Sequence, residues 1–383
     1  MKIVHAAKFY PPVPGGMEAF VQTLSEGMAD DWDVVVVAAN DARRTVEERL
    51  DGVRVVRAGA IGVAASVPLC PSLPLLLWRE RADCVVLHEP NPVAGSAVFL
   101  HTPAPRLVVW HHSDLVRPWW AIPTYGRLQR ALYRRADCVI VSNPVLAARS
   151  PLVRCARRVA VIPHGVDLPR YRTLSAAQDA VAARIRAEAP GPRMLFVGRF
   201  VYYKGLDVLI EAMSCCPGTL ILVGEGPLGG ELRRQVAALG LGARVVFAGN
   251  VSNDELPAYY HASDVFVLPS VAESETYGLV QIEAMASGVP VVSTNLPTGV
   301  PWVNQDGVTG IVVPPRDPRA LAEALTRLAG DVSLRRTLGD NGRRRAETVF
   351  SRDDTVRTFR ALIEATVREP RHLDQWLAHA QPL

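Results

Sequence analysis

An arginine and a lysine stand five positions apart in the run Gly198-Arg199-Phe200-Val201-Tyr202-Tyr203-Lys204-Gly205. The run follows an apolar stretch of strand length and precedes a helical pattern that starts at Leu206. A strand-to-helix turn presents unpaired amide N–H groups and the positive end of a helix dipole at the strand's carboxyl edge. With two full cations added, such a turn suits a diphosphate, each charge-assisted bond contributing about 1.5–3 kcal/mol. Taken alone, Arg199 and Lys204 read equally well as surface charges.

A second group changes that balance. Glu275 and Glu283 stand eight positions apart, on either side of Tyr277-Gly278-Leu279-Val280. With Glu275 in a loop and Glu283 in the helix that follows, the two flank a ligand lying across the helix start. Each carboxylate accepts paired hydrogen bonds from vicinal hydroxyls, as on a sugar or a ribose. The amides of Gly278 and Leu279 would meet phosphates between them. The alternatives are a dipole-favoured acid at the helix start for Glu275 and a solvated mid-helix position for Glu283.

Other candidates carry weaker signals. Pro11-Pro12-Val13-Pro14-Gly15-Gly16 is a loop at a strand's carboxyl edge, where glycine permits close backbone approach. Gly224-Glu225-Gly226-Pro227 resembles a dinucleotide-binding motif, but its third glycine is missing and Pro227 reads as the first residue of a helix. A dehydrogenase is therefore the poorer fit. Asp31-Trp32-Asp33 has the spacing of a metal-binding acid pair, yet it runs directly into a valine strand. His5 reads as core, and His164 as a packed hinge residue more than a catalyst. The six cysteines show no CxxC spacing, which argues against a disulfide framework or a zinc site.

Taken in order, Val197-Gly198-Arg199 through Lys204-Gly205, Val223-Gly224-Glu225-Gly226-Pro227, Gly249-Asn250-Val251, Leu268-Pro269-Ser270 and Glu275 through Glu283 to Ala284-Met285-Ala286-Ser287-Gly288-Val289-Pro290 resemble the retaining, glycogen-synthase-like glycosyltransferases of family 4. The likeness covers most of the C-terminal half. It continues more weakly at Gly15-Gly16-Met17-Glu18, His88-Glu89-Pro90-Asn91-Pro92, His111-His112-Ser113-Asp114 and His164-Gly165-Val166-Asp167.

The resemblance implies a GT-B fold, two Rossmann-like, doubly wound parallel-sheet domains facing across a cleft, and a hexosyltransferase acting on a nucleotide-diphosphate sugar. By position, it implies that Arg199 and Lys204 neutralise the diphosphate, Glu283 holds the ribose and Glu275 lies beside the transferred sugar. Tyr277, Gly278, Leu279 and Val280 supply backbone contacts, Tyr277 standing where the family more often has Phe. Val251 touches the base through its backbone, and Gly16 belongs to a loop that closes over the phosphates. His112 is the histidine near the anomeric centre, with His111 as the competing choice; His112 and Glu275 are the catalytic candidates. No cofactor or metal is implied beyond the sugar nucleotide. Since no carboxylate identifies itself as a nucleophile, front-face substitution is the expected route to retention. Similarity to bacterial mannosyltransferases of polysaccharide and lipopolysaccharide synthesis points to GDP-mannose as donor and a glycan or polyprenyl-diphosphate-linked acceptor. A GT-B epimerase or phosphorylase, or a non-catalytic nucleotide-sugar binding protein, is the alternative.

The elements that must position these residues are legible in the apolar pattern. Strand-length runs fall at 2–6, 33–38, 53–57, 83–87, 106–111, 137–141 and 158–162, then at 193–197, 219–223, 244–248, 264–268, 289–293 and 310–313. Near-continuous Val/Ile/Leu runs alternating with helical patterns predict parallel sheets covered on both faces. One junction recurs: Arg81-Ala82-Asp83-Cys84, Arg135-Ala136-Asp137-Cys138 and Ala262-Ser263-Asp264-Val265 each deliver an Asp just before a strand. The expected layout is an acceptor-side domain at 1–167, a linker at 168–192, a donor domain at 193–350 and a helical tail at 351–383 that packs back toward the first domain.

The chain's 383 residues, 49% of them hydrophobic, suffice for two cores. No apolar run reaches a membrane span's length, and Met1-Lys2-Ile3-Val4-His5 lacks the features of a signal peptide. A cytoplasmic location is expected, with or without attachment to the inner face of the membrane. Net charge is only +4, but arginines crowd the stretch between Arg106 and Arg172. There Trp119 and Trp120 precede a helical pattern with Arg127, Arg130 and Arg134 on one face and Leu128, Ala131 and Leu132 on the other. Such a helix suits an anionic bilayer, or its apolar stripe simply packs on the sheet. No nucleic-acid partner is expected.

Overall fold

The computed structural model describes all residues except 14, 65–66, 115–121 and 381–383. The chain forms two compact units, Met1–His164 together with Arg352–Leu383, and Gly165–Ser351.

The first unit is built on an eight-stranded sheet. Its strands are β1 (Lys2–Ala6), β2 (Asp33–Ala39), β3 (Val46–Leu50), β4 (Val53–Ala58), β7 (Cys84–Glu89), β8 (Arg106–His111), β9 (Cys138–Val141) and β10 (Val159–Val161), with a short hairpin of β5 (Val63–Ala64) and β6 (Val67–Pro68) beside it. Their order is β10-β9-β8-β7-β1-β2-β4-β3, parallel throughout except for the antiparallel edge pair β3–β4. Ile3 faces one core layer and Val4 the other, so both faces of β1 are covered. Each fully buried Val or Leu on such a strand contributes about 1.5–3 kcal/mol. Within the same unit the tail helix Arg352–Arg368 sets Phe359, Leu362 and Ile363, on one helical face, into the layer that holds Ile3 and Trp110.

The second unit carries β11 (Arg193–Val197), β12 (Thr219–Val223), β13 (Val245–Gly249), β14 (Val265–Leu268), β15 (Val291–Thr294) and β16 (Gly310–Val313). All pair in parallel, in the order β13-β12-β11-β14-β15-β16. In both sheets the order reverses direction beside the first strand, between β1 and β7 and between β11 and β14. Ligands of open α/β sheets bind at such switch points, outside the strands' carboxyl ends.

The recurring Asp junction has a physical role. Asp83, Asp137 and Asp264 accept the backbone N–H of Lys2, Leu107 and Arg193 at 2.8, 2.9 and 2.8 Å. Each thereby holds an amide at the start of a neighbouring strand and fixes the register of a parallel pair.

Residues 168–192, expected as a linker with a polar helical segment, hold the helices Leu168–Arg172 and Ala176–Glu188 and belong to the second unit. Tyr171, Ala182 and Ile185 enter its core, and a capping box of Ser175 and Gln178 starts the longer helix. The division also falls at His164 and Ser351, not at 167 and 350.

Candidate active site

The Arg199–Lys204 turn leaves the carboxyl end of β11, and the Glu275 loop leaves that of β14. They meet at the switch point of the second sheet. Gly205, at φ 65°, lies where a Cβ would come within 2.2 Å of the Pro269 carbonyl oxygen. Only glycine permits this approach. Val271 N–H donates to Tyr203 C=O at 2.8 Å and ties the two loops together. As a result Lys204 Nζ donates to Glu275 Oε2 at 2.5 Å, both side chains nearly buried. Ser270 Oγ donates to the same oxygen at 2.9 Å, and Thr294 Oγ1 fixes the Ser270 carbonyl at 2.6 Å. Removing one partner of such a pair costs about 3–5 kcal/mol, because the other charge is left buried. Arg199, on the same turn, is exposed and makes no ion pair among the described residues.

The neighbouring turns are packed by glycines. A Cβ on Gly224 would lie 2.2 Å from the Gly198 carbonyl oxygen, and one on Gly226 would strike the backbone of Phe200. The Gly224–Pro227 run therefore seats the turn after β12 against the Arg199 turn. Pro227 does not open the next helix, which begins at Gly229. At the end of β13, Gly249 has φ 72°; beyond it Asn250 Nδ2 donates to Glu225 Oε2 at 3.0 Å, and Val251 packs partly on the core.

Gly278, at φ 72°, caps the helix Leu279–Ala286. Gln281 Nε2 donates to the Tyr277 carbonyl at 2.6 Å and steadies the entry. Leu279 and Val280 supply first-turn amides, which have no partner within the helix. The Tyr277 ring is buried near Trp302 and Phe350, so only its backbone is available to a ligand. Further along, Glu283 is not the solvated residue its mid-helix position allowed. Tyr260 Oη donates to Glu283 Oε2 at 2.7 Å, and Tyr171 bonds it as well. Burial raises the pKa of this carboxyl, and the two tyrosines work against the rise. No sequence signal linked Tyr171 or Tyr260 to Glu283.

In the first unit Gly16 opens the helix Gly16–Glu26, and a Cβ there would meet nothing within 4 Å. Arg57, buried, anchors the preceding loop by donating to the carbonyls of Tyr10, at 2.9 Å, and Pro11. Phe20 of that helix stacks on His164 at 3.9 Å between ring centroids and meets His112 edge-on at 5.9 Å. The structure separates the two competing histidines. His111 is 0% exposed and turned inward, Nδ1 2.6 Å from Tyr133 Oη and Nε2 3.5 Å from Asp114. His112 is 7% exposed and bonds His88. Burial lowers the pKa of both, His111 to about 4.

Nearby, Glu89 is fully buried, and Tyr125 Oη (2.8 Å) and Gln129 Nε2 (2.6 Å) donate to it. Burial pushes its pKa up to about 7.

The remaining candidates have structural roles. Asp31 pairs with Arg360 at 2.5 Å, and Arg360 lies over the Trp32 ring, so the acid pair helps seat the tail helix. All six cysteines are free. Within the basic helix Ile122–Arg135, Leu132 and Tyr133 are buried and Leu128 packs on the core, while Arg127, Arg130 and Arg134 are exposed. The apolar stripe is thus covered by the sheet. Trp119 and Trp120 lie outside the described residues. No described helix is long and apolar enough to cross a membrane.

Residues 179–345 match the family model "Glycosyl transferases group 1", and residues 14–170 match "Glycosyltransferase Family 4". The O-antigen chain mannosyltransferase C of Escherichia coli is 30% identical over 367 residues, which span 94% of this chain and 97% of that one. The chain belongs to the group 1 glycosyltransferases. The D-rhamnosyltransferase WbpZ of Pseudomonas aeruginosa is 32% identical, with 92% of each chain covered. The sucrose-phosphate synthase of Thermosynechococcus elongatus superposes with a TM-score of 0.79 at 26% identity, covering 95% of this glycosyltransferase and 98% of that structure. The fold is GT-B.

Proposed function

We propose that this glycosyltransferase moves a hexosyl group, with retention of configuration, from a nucleotide-diphosphate sugar to a glycan or polyprenyl-diphosphate-linked acceptor in cell-surface polysaccharide assembly. GDP-mannose is the donor to try first. Its similarity over nearly the whole chain to an O-antigen mannosyltransferase supports the sugar and the pathway. The observation that carries the reading is the Lys204–Glu275 pair at the switch point of the second sheet, beside the exposed Arg199.

Lys204 has donors left over after its bond to Glu275. With Arg199 and the amides at Gly278, Leu279 and Val280, it meets the charge that grows on the diphosphate as the sugar departs. Such preorganised electrostatic stabilisation is commonly the largest catalytic term. These groups take the place of a metal ion, so chelators leave turnover unchanged. Glu275, held by Lys204 and Ser270, accepts hydrogen bonds from the sugar and is not a nucleophile. Substitution is therefore front-face: the acceptor oxygen bonds C1, the bond from C1 to phosphate breaks, and the acceptor's proton passes to the departing diphosphate. Glu283 takes the ribose hydroxyls, Val251 the base, and Gly16 and His112 are the first unit's contribution. The enzyme works on the cytoplasmic face of the membrane, where exposed Arg127, Arg130 and Arg134 meet acidic lipid headgroups.

The test is release of nucleoside diphosphate from GDP-, UDP- and ADP-sugars with and without lipid-linked glycan. Acceptor-dependent release, fastest with GDP-mannose and giving an α-linked product, is expected. Donor binding without any acceptor-dependent release contradicts the reading.

A further inference from the structure

The side chains of His5, His88 and His112 form one hydrogen-bonded line in the first unit. His5 Nδ1 lies 2.9 Å from His88 Nε2, and His88 Nδ1 lies 3.0 Å from His112 Nε2. Neighbouring rings stack, with centroids 5.2 and 5.3 Å apart. The sheet explains the alignment. His5 on β1 pairs with Val86 on β7, and His88, two residues on, pairs with Trp110 on β8. His112 is again two residues on. Two-residue steps keep all three on one face, rising toward the carboxyl edge. His5 and His88 are 0% exposed, and only His112 retains any exposure.

Burial disfavours the charged form of each ring. A neutral imidazole has one N–H and one acceptor nitrogen. Because His88 uses both nitrogens, the line has a direction. In one direction His5 Nδ1–H donates to His88, His88 Nδ1–H donates to His112 Nε2, and His112 carries its proton on Nδ1. In the other, every bond reverses, and His5 keeps a buried Nε2–H that meets no partner among the described residues. A buried N–H without an acceptor is rarer than an under-used acceptor. The first direction is therefore favoured.

We propose that His5 and His88 are positioning residues that fix His112 as its Nδ1–H tautomer, so that His112 offers the transferred sugar a hydrogen-bond donor and not a proton acceptor. This rests on the assignment of His112 as the first unit's sugar-facing histidine. It assigns the acceptor's proton to the leaving diphosphate, because His112 has no basic nitrogen left for it.

The test is nitrogen NMR of the full-length protein labelled in histidine, with resonances assigned by single substitutions. His112 protonated at Nδ1 in the wild type is expected, and His112 protonated at Nε2 overturns the proposal whatever the variants do. His5→Leu removes the first donor. It should give a mixture of His112 tautomers and lower kcat roughly tenfold, the worth of one hydrogen bond, while His5→Asn, which keeps a donor at the Nδ1 position, restores both. An unchanged tautomer and rate in His5→Leu also overturns the proposal. Full turnover in His112→Ala, with the expected tautomer in the wild type, refutes the sugar-facing role and leaves only the relay.

Discussion

Lys204 Nζ and Glu275 Oε2 lie 2.5 Å apart in the second unit, joined across two loops that leave the strands flanking the sheet's switch point. The cation assigned to the phosphate and the acid assigned to the sugar are one coupled element, and their variants should differ in kind. Glu275→Gln keeps a bond to Ser270 and leaves Lys204 free for phosphate. Its kcat should fall about a hundredfold, as for loss of one transition-state contact, with nucleoside diphosphate affinity held. Lys204→Ala should weaken that affinity by about tenfold or more. It should also lower stability by about 3–5 kcal/mol through the stranded carboxylate. Steady-state kinetics, calorimetry and urea unfolding read the three effects.

Tyr260 holds Glu283 at 2.7 Å, so in the proposed reading it sets how the acid meets a ribose. Tyr260→Phe keeps the ring in the core and removes the bond. The Kd for nucleoside diphosphate should rise about fivefold, the worth of about 1 kcal/mol, while the Kd for inorganic pyrophosphate stays unchanged. Equal weakening of both ligands would place Tyr260 outside ribose recognition.

The parallel sheets were readable because their strands are buried on both faces and hence apolar almost throughout, as in Val34-Val35-Val36-Val37. Strand β3, Val46-Glu47-Glu48-Arg49-Leu50, escaped notice because it is a charged edge strand. The helix Ala176–Glu188 reads as a helical linker and not as part of the second domain because most of its surface is polar and only Ala182 and Ile185 are buried. Arg199, Lys204, Glu275 and Glu283 stood out through their motifs. Their supports did not, because Tyr171, Tyr260 and Thr294 reach the site only through the fold. Likewise His5 and His88, 83 residues apart, become neighbours only when β1 pairs with β7.

The first unit should be acid-labile. Burial depresses His5 and His164 to about 3 and His111 to about 4, and lowers His88 and His112 well below the usual value. A depressed folded pKa contributes stability that is present above about pH 6.5 and lost as pH falls toward the folded value. For a ring such as His5 the loss reaches about 3 kcal/mol by pH 4. Glu89, raised to about 7, acts in the opposite sense, its contribution present below about 4.5 and lost as pH rises through 7. Five rings outweigh one carboxyl. Urea unfolding followed by tryptophan fluorescence should show a midpoint that falls steadily below pH 6.5, and Glu89→Gln should steepen that fall.

Exposed Arg127, Arg130 and Arg134 should draw the enzyme to vesicles containing acidic lipid at low salt, each contributing about 1 kcal/mol. Replacing all three with glutamine should abolish sedimentation with such vesicles and leave turnover of a soluble acceptor analogue intact. Undiminished sedimentation would assign membrane contact to another surface.

In the proposed function the second unit grips the donor's diphosphate through Arg199 and Lys204 and its ribose through Glu283. A crystal structure with a non-transferable GDP-sugar tests this directly. Phosphate oxygens should lie within hydrogen-bond distance of both cations and of the amides opening the helix Leu279–Ala286, with the ribose hydroxyls on Glu283. Nucleotide bound elsewhere, with Arg199 and Lys204 making no contact to it, would rule out this donor site.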